Sequence, residues 1–158
     1  ALRRYSPSGI HTCYNMLNPT SGYGLPKTFP YQNYEELMTL ASEDGIGTVG
    51  IRILAGGALS GSLDRHPIAQ QNVAPIATSS TFREDVSRTP VFEVLVKEGF
   101  VNNLVEASVR FAISNDNLDT ALIGLSNFDQ LKQAVDYANK GSLPQEALDK
   151  IKEIWAVS

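Results

Sequence analysis

The sequence predicts an α/β fold with parallel strands. Short β-branched, apolar runs alternate with capped amphipathic runs along the chain. The best strand run, Ile46 to Leu54, is apolar on both faces, as in a parallel sheet covered from both sides. With 158 residues, 42% hydrophobic and 19% charged, there is enough apolar mass for a sizeable core. The same composition excludes a disordered tail, a collagen-like fibre and a disulfide-stapled peptide.

Taken in order, Ile10 to Leu17 reads as a strand closed by Asn18-Pro19, and Thr20 to Pro30 as a Gly/Pro/Ser-rich loop. Asn33 offers an N-cap with Glu36 three residues on, and Leu37, Met38, Leu40 and Ala41 follow at helical spacing until Gly45. The strand Ile46 to Leu54 runs directly into Ala55-Gly56-Gly57-Ala58-Leu59-Ser60-Gly61. Residues 62–88 show no sustained period and read as a long irregular excursion, the kind of loop that is usually functional or mobile. Thr89-Pro90 predicts an N-cap and first helical residue, with Gly99 as the stop. A second capped helix starts at Asn103 with Glu106 three residues later. Asp119 to Ile123 is a short strand, and Gly124-Leu125-Ser126-Asn127 turns it into a helix from Phe128 to Asn139. Leu143-Pro144 opens a terminal helix that reaches Trp155. The whole is expected to form one domain of three strands joined by right-handed crossovers.

A net charge of -4, from 13 basic and 17 acidic residues, argues against a surface for nucleic acid but leaves room for one phosphate-bearing small molecule. The single cysteine, Cys13, excludes an intramolecular disulfide and suits a reducing compartment, so a cytoplasmic location is expected. No apolar run approaches the roughly 20 residues that span a bilayer, so no membrane partner is expected. Arg3 and Arg4 are not followed by an apolar run, so the first residues do not read as a secretory signal and the start looks internal.

In α/β proteins ligands gather at the carboxyl ends of the strands, so the segments after Leu17, Leu54 and Ile123 are the ones to inspect. Gly56, Gly57 and Gly61 let a backbone approach an anion without a Cβ in the way. Gly124-Leu125-Ser126-Asn127 precedes a helix whose N-terminus offers orphan N–H donors and a positive dipole end. Together the two turns suit a phosphorylated ligand, although tight βα turns and N-caps demand the same residues for purely structural reasons. Neither G-x-G-x-x-G nor G-x-x-x-x-G-K-[ST] occurs. His11 and His66 have no metal-motif spacing. Cys13 reads as a small buried hydrophobe rather than a nucleophile. Arg52 is a charge in an apolar strand and needs a partner, either a ligand phosphate or a neighbouring carboxylate. Tyr14 and Asn15 lie where they either face the same mouth or join the core.

Three stretches occur in a family's order and spacing: Tyr14-Asn15-Met16-Leu17-Asn18-Pro19, Leu54-Ala55-Gly56-Gly57-Ala58-Leu59-Ser60-Gly61, and Ile123-Gly124-Leu125-Ser126-Asn127-Phe128-Asp129-Gln130-Leu131. With them the chain resembles the C-terminal half of the aldo-keto reductases, (β/α)8 TIM barrels that use NADP(H). The resemblance implies a partial TIM barrel, its strands similar to the last three of a barrel that takes about 250 residues. It places the family's catalytic Asp, Tyr, Lys and His on the part not represented here, so no catalytic residue is assigned and the isolated chain is expected to be inactive. Position by position, it implies that Arg52, Ile53, Leu54, Ala55, Gly56 and Gly57 line the pyrophosphate. Gly124, Leu125, Ser126, Gln130 and Gln133 would surround the adenosine end and its 2′-phosphate. His11 stands where the family usually has a glutamine holding the nicotinamide carboxamide, Ile51 where an aromatic often stacks on the ring, and Ala134 where an asparagine commonly meets the adenine. Ile51-Arg52-Ile53 also lacks the common Ser-Pro pair, and Arg83 and Arg88 are the candidates for the 2′-phosphate. The implied partners are a nicotinamide dinucleotide and, in the complete barrel, a small aldehyde or ketone. The alternatives are a non-catalytic half-barrel that pairs with itself or with a complementary half through open sheet edges, and a nucleotide-binding module indifferent to the 2′-phosphate.

Overall fold

The structure is a computed structural model that describes residues 7–156, so Arg3 and Arg4 lie outside the described residues. Strands β1 (Gly9–Cys13), β2 (Gly47–Ile51) and β3 (Thr120–Ala121) form one sheet in the order β1-β2-β3, with both pairings parallel. His11, Val49 and Thr120 share one row of the register, and Cys13 sits beside Ile51 two rows further on. In β2, Thr48 and Gly50 are buried, while Val49 and Ile51 are only half-buried. Gly50 is packed so closely that a Cβ there would come within 2.9 Å of the Leu118 side chain. The expectation that helices cover both faces of β2 therefore fails for the described residues. Helices cover one face, and His11 and Thr120 stand exposed on the other.

The strands are shorter than their apolar runs because polar side chains turn the chain early. β1 ends at Cys13, since Asn15 and Asn18 exchange backbone hydrogen bonds and the Asn15 carboxamide oxygen accepts from the N–H groups of Leu17 and Asn18 at 3.0 and 2.9 Å. β2 ends at Ile51 because Arg52 turns into the left-handed region with φ 59°.

Helix α1 (Leu37–Glu43) is not capped by Asn33. The Asn33 side chain instead accepts from the Glu35 N–H at 2.8 Å, a local turn that competes with capping, and Glu35 and Glu36 are left-handed. Orphan donors at the helix start are satisfied by tertiary carbonyls, with the N–H of Glu36 on Thr20 and that of Met38 on Ser21, each at 2.8 Å. Residues 62–88 are irregular until α2 (Phe82–Ser87), whose N-cap Thr81 accepts from the Glu84 N–H. Six residues are too few to show a period. The side-chain hydroxyl of Ser80 donates to the exposed Glu84 carboxylate and lowers its pKa. Thr89 does not cap a helix either: its hydroxyl donates to the Val86 carbonyl, and Thr89–Glu93 forms a 3-10 turn before the short α3 (Val94–Lys97).

The later elements match expectation. Asn103 caps α4 (Leu104–Ala112), Asn127 caps α5 (Phe128–Asn139), and α6 (Gln145–Ala156) follows Leu143-Pro144. The core joins the segments that follow β1 and β2 to α4 and α6. Tyr14 is fully buried, stacked on Phe111 at 5.0 Å and Tyr23 at 6.4 Å, and Trp155 donates its indole N–H to the Met16 carbonyl at 2.8 Å. Burial, then the neighbouring Tyr23 phenol, push the Tyr14 phenol well above its ordinary pKa. Glu106 in α4 is 1% exposed and bonds Lys140, Arg110 and Asn102 at 2.8, 3.1 and 2.7 Å. Burial opposes its charge, but these donors outweigh burial and hold its carboxyl below the usual carboxylate range. No helix among the described residues is long and apolar enough to cross a membrane.

Candidate functional site

The turn that leaves β2 has an unusual backbone. Arg52 and Ala55 are left-handed at φ 59° and 48°, and Gly56 and Gly57 follow at 69° and 105°. Left-handed conformations cost a non-glycine residue on the order of 1 kcal/mol or more, so the surroundings must enforce them. Asn15 does so from the turn that follows β1: its side-chain amide donates to the Arg52 carbonyl at 2.9 Å, and the same oxygen accepts from the Ala55 N–H at 2.7 Å. Tyr14 therefore belongs to the core and Asn15 to the support of this turn.

Two sets of donors are left at the turn. The backbone N–H groups of Ile53 and Leu54 find no acceptor among the described residues, and neither does the Arg52 guanidinium. No ion pair to a described carboxylate takes up the Arg52 charge. A half-buried cation and two unpaired amides beside Gly56 and Gly57 make an arrangement that can hold an anionic oxygen pair. The turn (Ala55–Ser60 forms a 3-10 stretch) then packs Ala55, Ala58 and Leu59 into the core, which fixes its position.

Arg65 is the residue that the sequence did not flag. It reaches back from the irregular segment, donating from Nη1 to the Gly56 carbonyl and from Nε to the Gln70 carbonyl, each at 2.7 Å, while its guanidinium lies 4.8 Å from the centre of the Phe82 ring. A Cβ on Gly56 would fall 2.6 Å from Val73 and 2.8 Å from Arg52 Nη1, and one on Gly57 would fall 3.1 Å from Arg65 Nη1. Residues 65–73 thus lie against the glycine turn through Arg65 and Val73, within the strap 62–73. Arg65 sits in a stretch without periodicity, and no sequence signal connects it to Gly56.

The turn after β3 leaves the adjacent strand. Gly124 and Leu125 are exposed and Ser126 is half-buried. Gln130 is committed locally: its side chain accepts from the Ser126 N–H at 2.7 Å while its own N–H donates to Asn127 at 2.8 Å, a reciprocal cap. That bond ties up the Gln130 side-chain oxygen, leaving its NH2 group for any ligand. Gln133 is exposed on α5. His11 lies on the exposed face in the row of Val49, separate from the Arg52 to Gly57 turn. Cys13 is 4% exposed, and burial together with a hydrogen bond to its thiol pushes the Tyr34 phenol up to about 12. Arg88 donates to the carbonyls of Thr78 and Leu17, pairs with Asp85 at 3.8 Å and stacks 4.2 Å from the Tyr31 ring, contacts that use only part of its N–H donors. Arg83 is exposed on α2.

A family model described as Aldo/keto reductase family matches residues 18–156. The chain belongs to the aldo-keto reductase family. Among solved structures it is similar to the aldo-keto reductase AKR11C1 from Bacillus halodurans, with 21% identity in both the holo and the apo form. The TM-scores are 0.61 and 0.60, and each match covers 97% of this chain but 44% and 45% of the other. The chain thus spans less than half the length of that protein and has the fold of part of its barrel. No curated protein matches the chain. In this aldo-keto reductase chain, β1, β2 and β3 are consecutive barrel strands, and the two turns described above lie at their carboxyl ends.

Proposed function

We propose that this chain is the cofactor-holding portion of an NADP(H)-dependent aldo-keto reductase that reduces an aldehyde or ketone. The observation that carries the reading is the turn after β2, where the Arg52 guanidinium and the Ile53 and Leu54 amides have no acceptor beside Gly56 and Gly57. These donors fit a pyrophosphate. Family membership and the position of the turn in the barrel support the nicotinamide dinucleotide as its bearer. When bound, such a cofactor supplies hydride to a carbonyl carbon.

The chain's own residues bind and orient. Arg52, Ile53, Leu54, Ala55, Gly56 and Gly57 hold the diphosphate, and Asn15 keeps the Arg52 carbonyl in place. Arg65 fastens the strap that shields the turn from water. Gly124, Leu125, Ser126 and Gln133 meet the adenosine end, with the start of α5 directing its positive dipole end at the 2′-phosphate. Gln130 contributes through its NH2 group, and His11, on the exposed face of the sheet, meets the nicotinamide end. The proton donor and the pocket for the small carbonyl substrate belong to the rest of the barrel, and the enzyme works in a reducing compartment such as the cytoplasm.

A second reading has its own observation: His11 and Thr120 are exposed on one sheet face, and α5 buries none of its residues. Such surfaces favour association of the chain with another copy or with a complementary barrel half.

Calorimetric titration of the folded chain with NADPH and NADH, with its solution mass measured alongside, tests both readings. NADPH is expected to bind more tightly than NADH, and Arg52→Ala is expected to weaken it about tenfold, the loss of one charge-assisted contact. Absence of binding at millimolar nucleotide overturns the first reading. A strictly monomeric mass overturns self-association.

A further inference from the structure

Away from the turns just described, a cavity of about 190 Å3 opens between three segments that are remote in sequence. Met16, Leu17, Phe29, Phe92 and Trp155 line it together with Arg88 and Val91. None of its lining residues belongs to the turns after β2 and β3. Met16, Leu17 and Phe92 are buried core residues, whereas Val91 is 54% exposed, so the cavity has a fixed apolar interior and an accessible rim.

Size and chemistry define what fits. A cavity of roughly 150 Å3 lined by aliphatic and aromatic side chains takes up a benzene ring. This one is somewhat larger and its lining is mostly apolar, with Arg88 as the one charged group. Arg88 is held rigid by the Leu17 and Thr78 carbonyls and by stacking on Tyr31. Those two bonds use only part of its five N–H donors, and a guanidinium has no acceptor. Facing charges are few: Asp85 at 3.8 Å is the carboxylate paired with it.

We propose that this cavity is a second binding site, for a compact molecule with one ring or a branched aliphatic body and a carboxylate that meets Arg88. The proposal does not depend on the cofactor reading, because that reading is carried by the turns after β2 and β3, which do not line the cavity.

The chain has a single tryptophan, so Trp155 reports on the cavity directly through its fluorescence and its indole N–H resonance. Benzoate is the probe, and benzylamine, with the same ring and opposite charge, is the control. Benzoate is expected to shift the Trp155 indole signal saturably and to bind at least about tenfold more tightly than benzylamine, the ratio expected when one ionic contact is gained rather than opposed. Val91→Phe, placed at the exposed rim so that the fold is retained and no tryptophan is added, is expected to weaken benzoate by a similar factor. The proposal is overturned by an unmoved Trp155 signal at tens of millimolar benzoate in folded protein. Equal affinity for the two probes, or undiminished binding by a folded Val91→Phe variant, overturns it as well.

Discussion

Helices α4 and α5 are built from the same local instructions and end in opposite situations. Each begins with an asparagine whose side chain accepts from an N–H three residues on, Glu106 in one and Gln130 in the other, and each is amphipathic. Yet α4 buries seven of its residues, from Leu104 to Ala112, and α5 buries none, leaving Phe128 75% exposed and Val135 49% exposed. An amphipathic stripe declares that a face is to be covered, not what covers it. In the described residues α4 has its cover, namely Tyr14, Trp155 and the turn Ala55–Ser60. The apolar face of α5 and the row His11, Val49 and Thr120 have theirs only if more protein packs there.

The contrast can be broken most sharply in the core. Phe111→Ala removes a ring stacked on Tyr14 and set edge-on to Trp155, and should cost about 3–5 kcal/mol in denaturant unfolding. Phe128→Ala in the isolated chain should cost no more than about 0.5 kcal/mol. A large loss at Phe128 would mean that α5 is covered in solution, for instance by a second copy.

Glu106→Gln comes next, at about 2 kcal/mol, because it leaves Arg110 12% exposed without its carboxylate partner while Lys140, at 42%, regains water. It also changes the pH dependence. The Glu106 carboxyl titrates lower in the fold than in the unfolded chain, where about 4.3 is usual, so its stabilisation is complete above that value and lost as pH falls through the lower folded value. Acid titration of stability should therefore be less steep in Glu106→Gln than in the parent, and an unchanged acid limb would remove Glu106 from the explanation.

The caps give the smallest and most direct comparison. Asn103→Ala and Asn127→Ala should each cost about 1 kcal/mol. Asn103 should cost more, because its amide also donates to the Tyr137 hydroxyl at 2.8 Å and so ties α4 to α5. Equal losses by thermal unfolding would show that this tie contributes nothing.

What could be read from the sequence follows the range of the interactions. The caps at Asn103 and Asn127 and the parallel alternation are local, and they stand as expected. Asn33 and Thr89 carry the same local signal and misled, since Asn33 closes its own turn and Thr89 finishes α2 by bonding back to Val86. Strand ends were overestimated where Asn15 and the left-handed Arg52 bend the chain inside an apolar run. The candidate site was half visible: its glycines and Arg52 stand in a recognisable order, while Arg65 reaches Gly56 from nine residues away through a segment without period. The commitment of Gln130 to its own cap and of Arg88 to Leu17 and Thr78 is likewise a matter of geometry that residue type does not specify.

Amide hydrogen exchange of the chain with and without millimolar NADPH tests the placement of the cofactor most directly, because it reads each turn separately. Exchange should slow at residues 52–57 and 124–127 and in the strap 62–73, with α4 unchanged as an internal reference. Unaltered exchange in the turn after β2 of a folded sample would contradict the assignment of Arg52, Ile53 and Leu54 to the diphosphate.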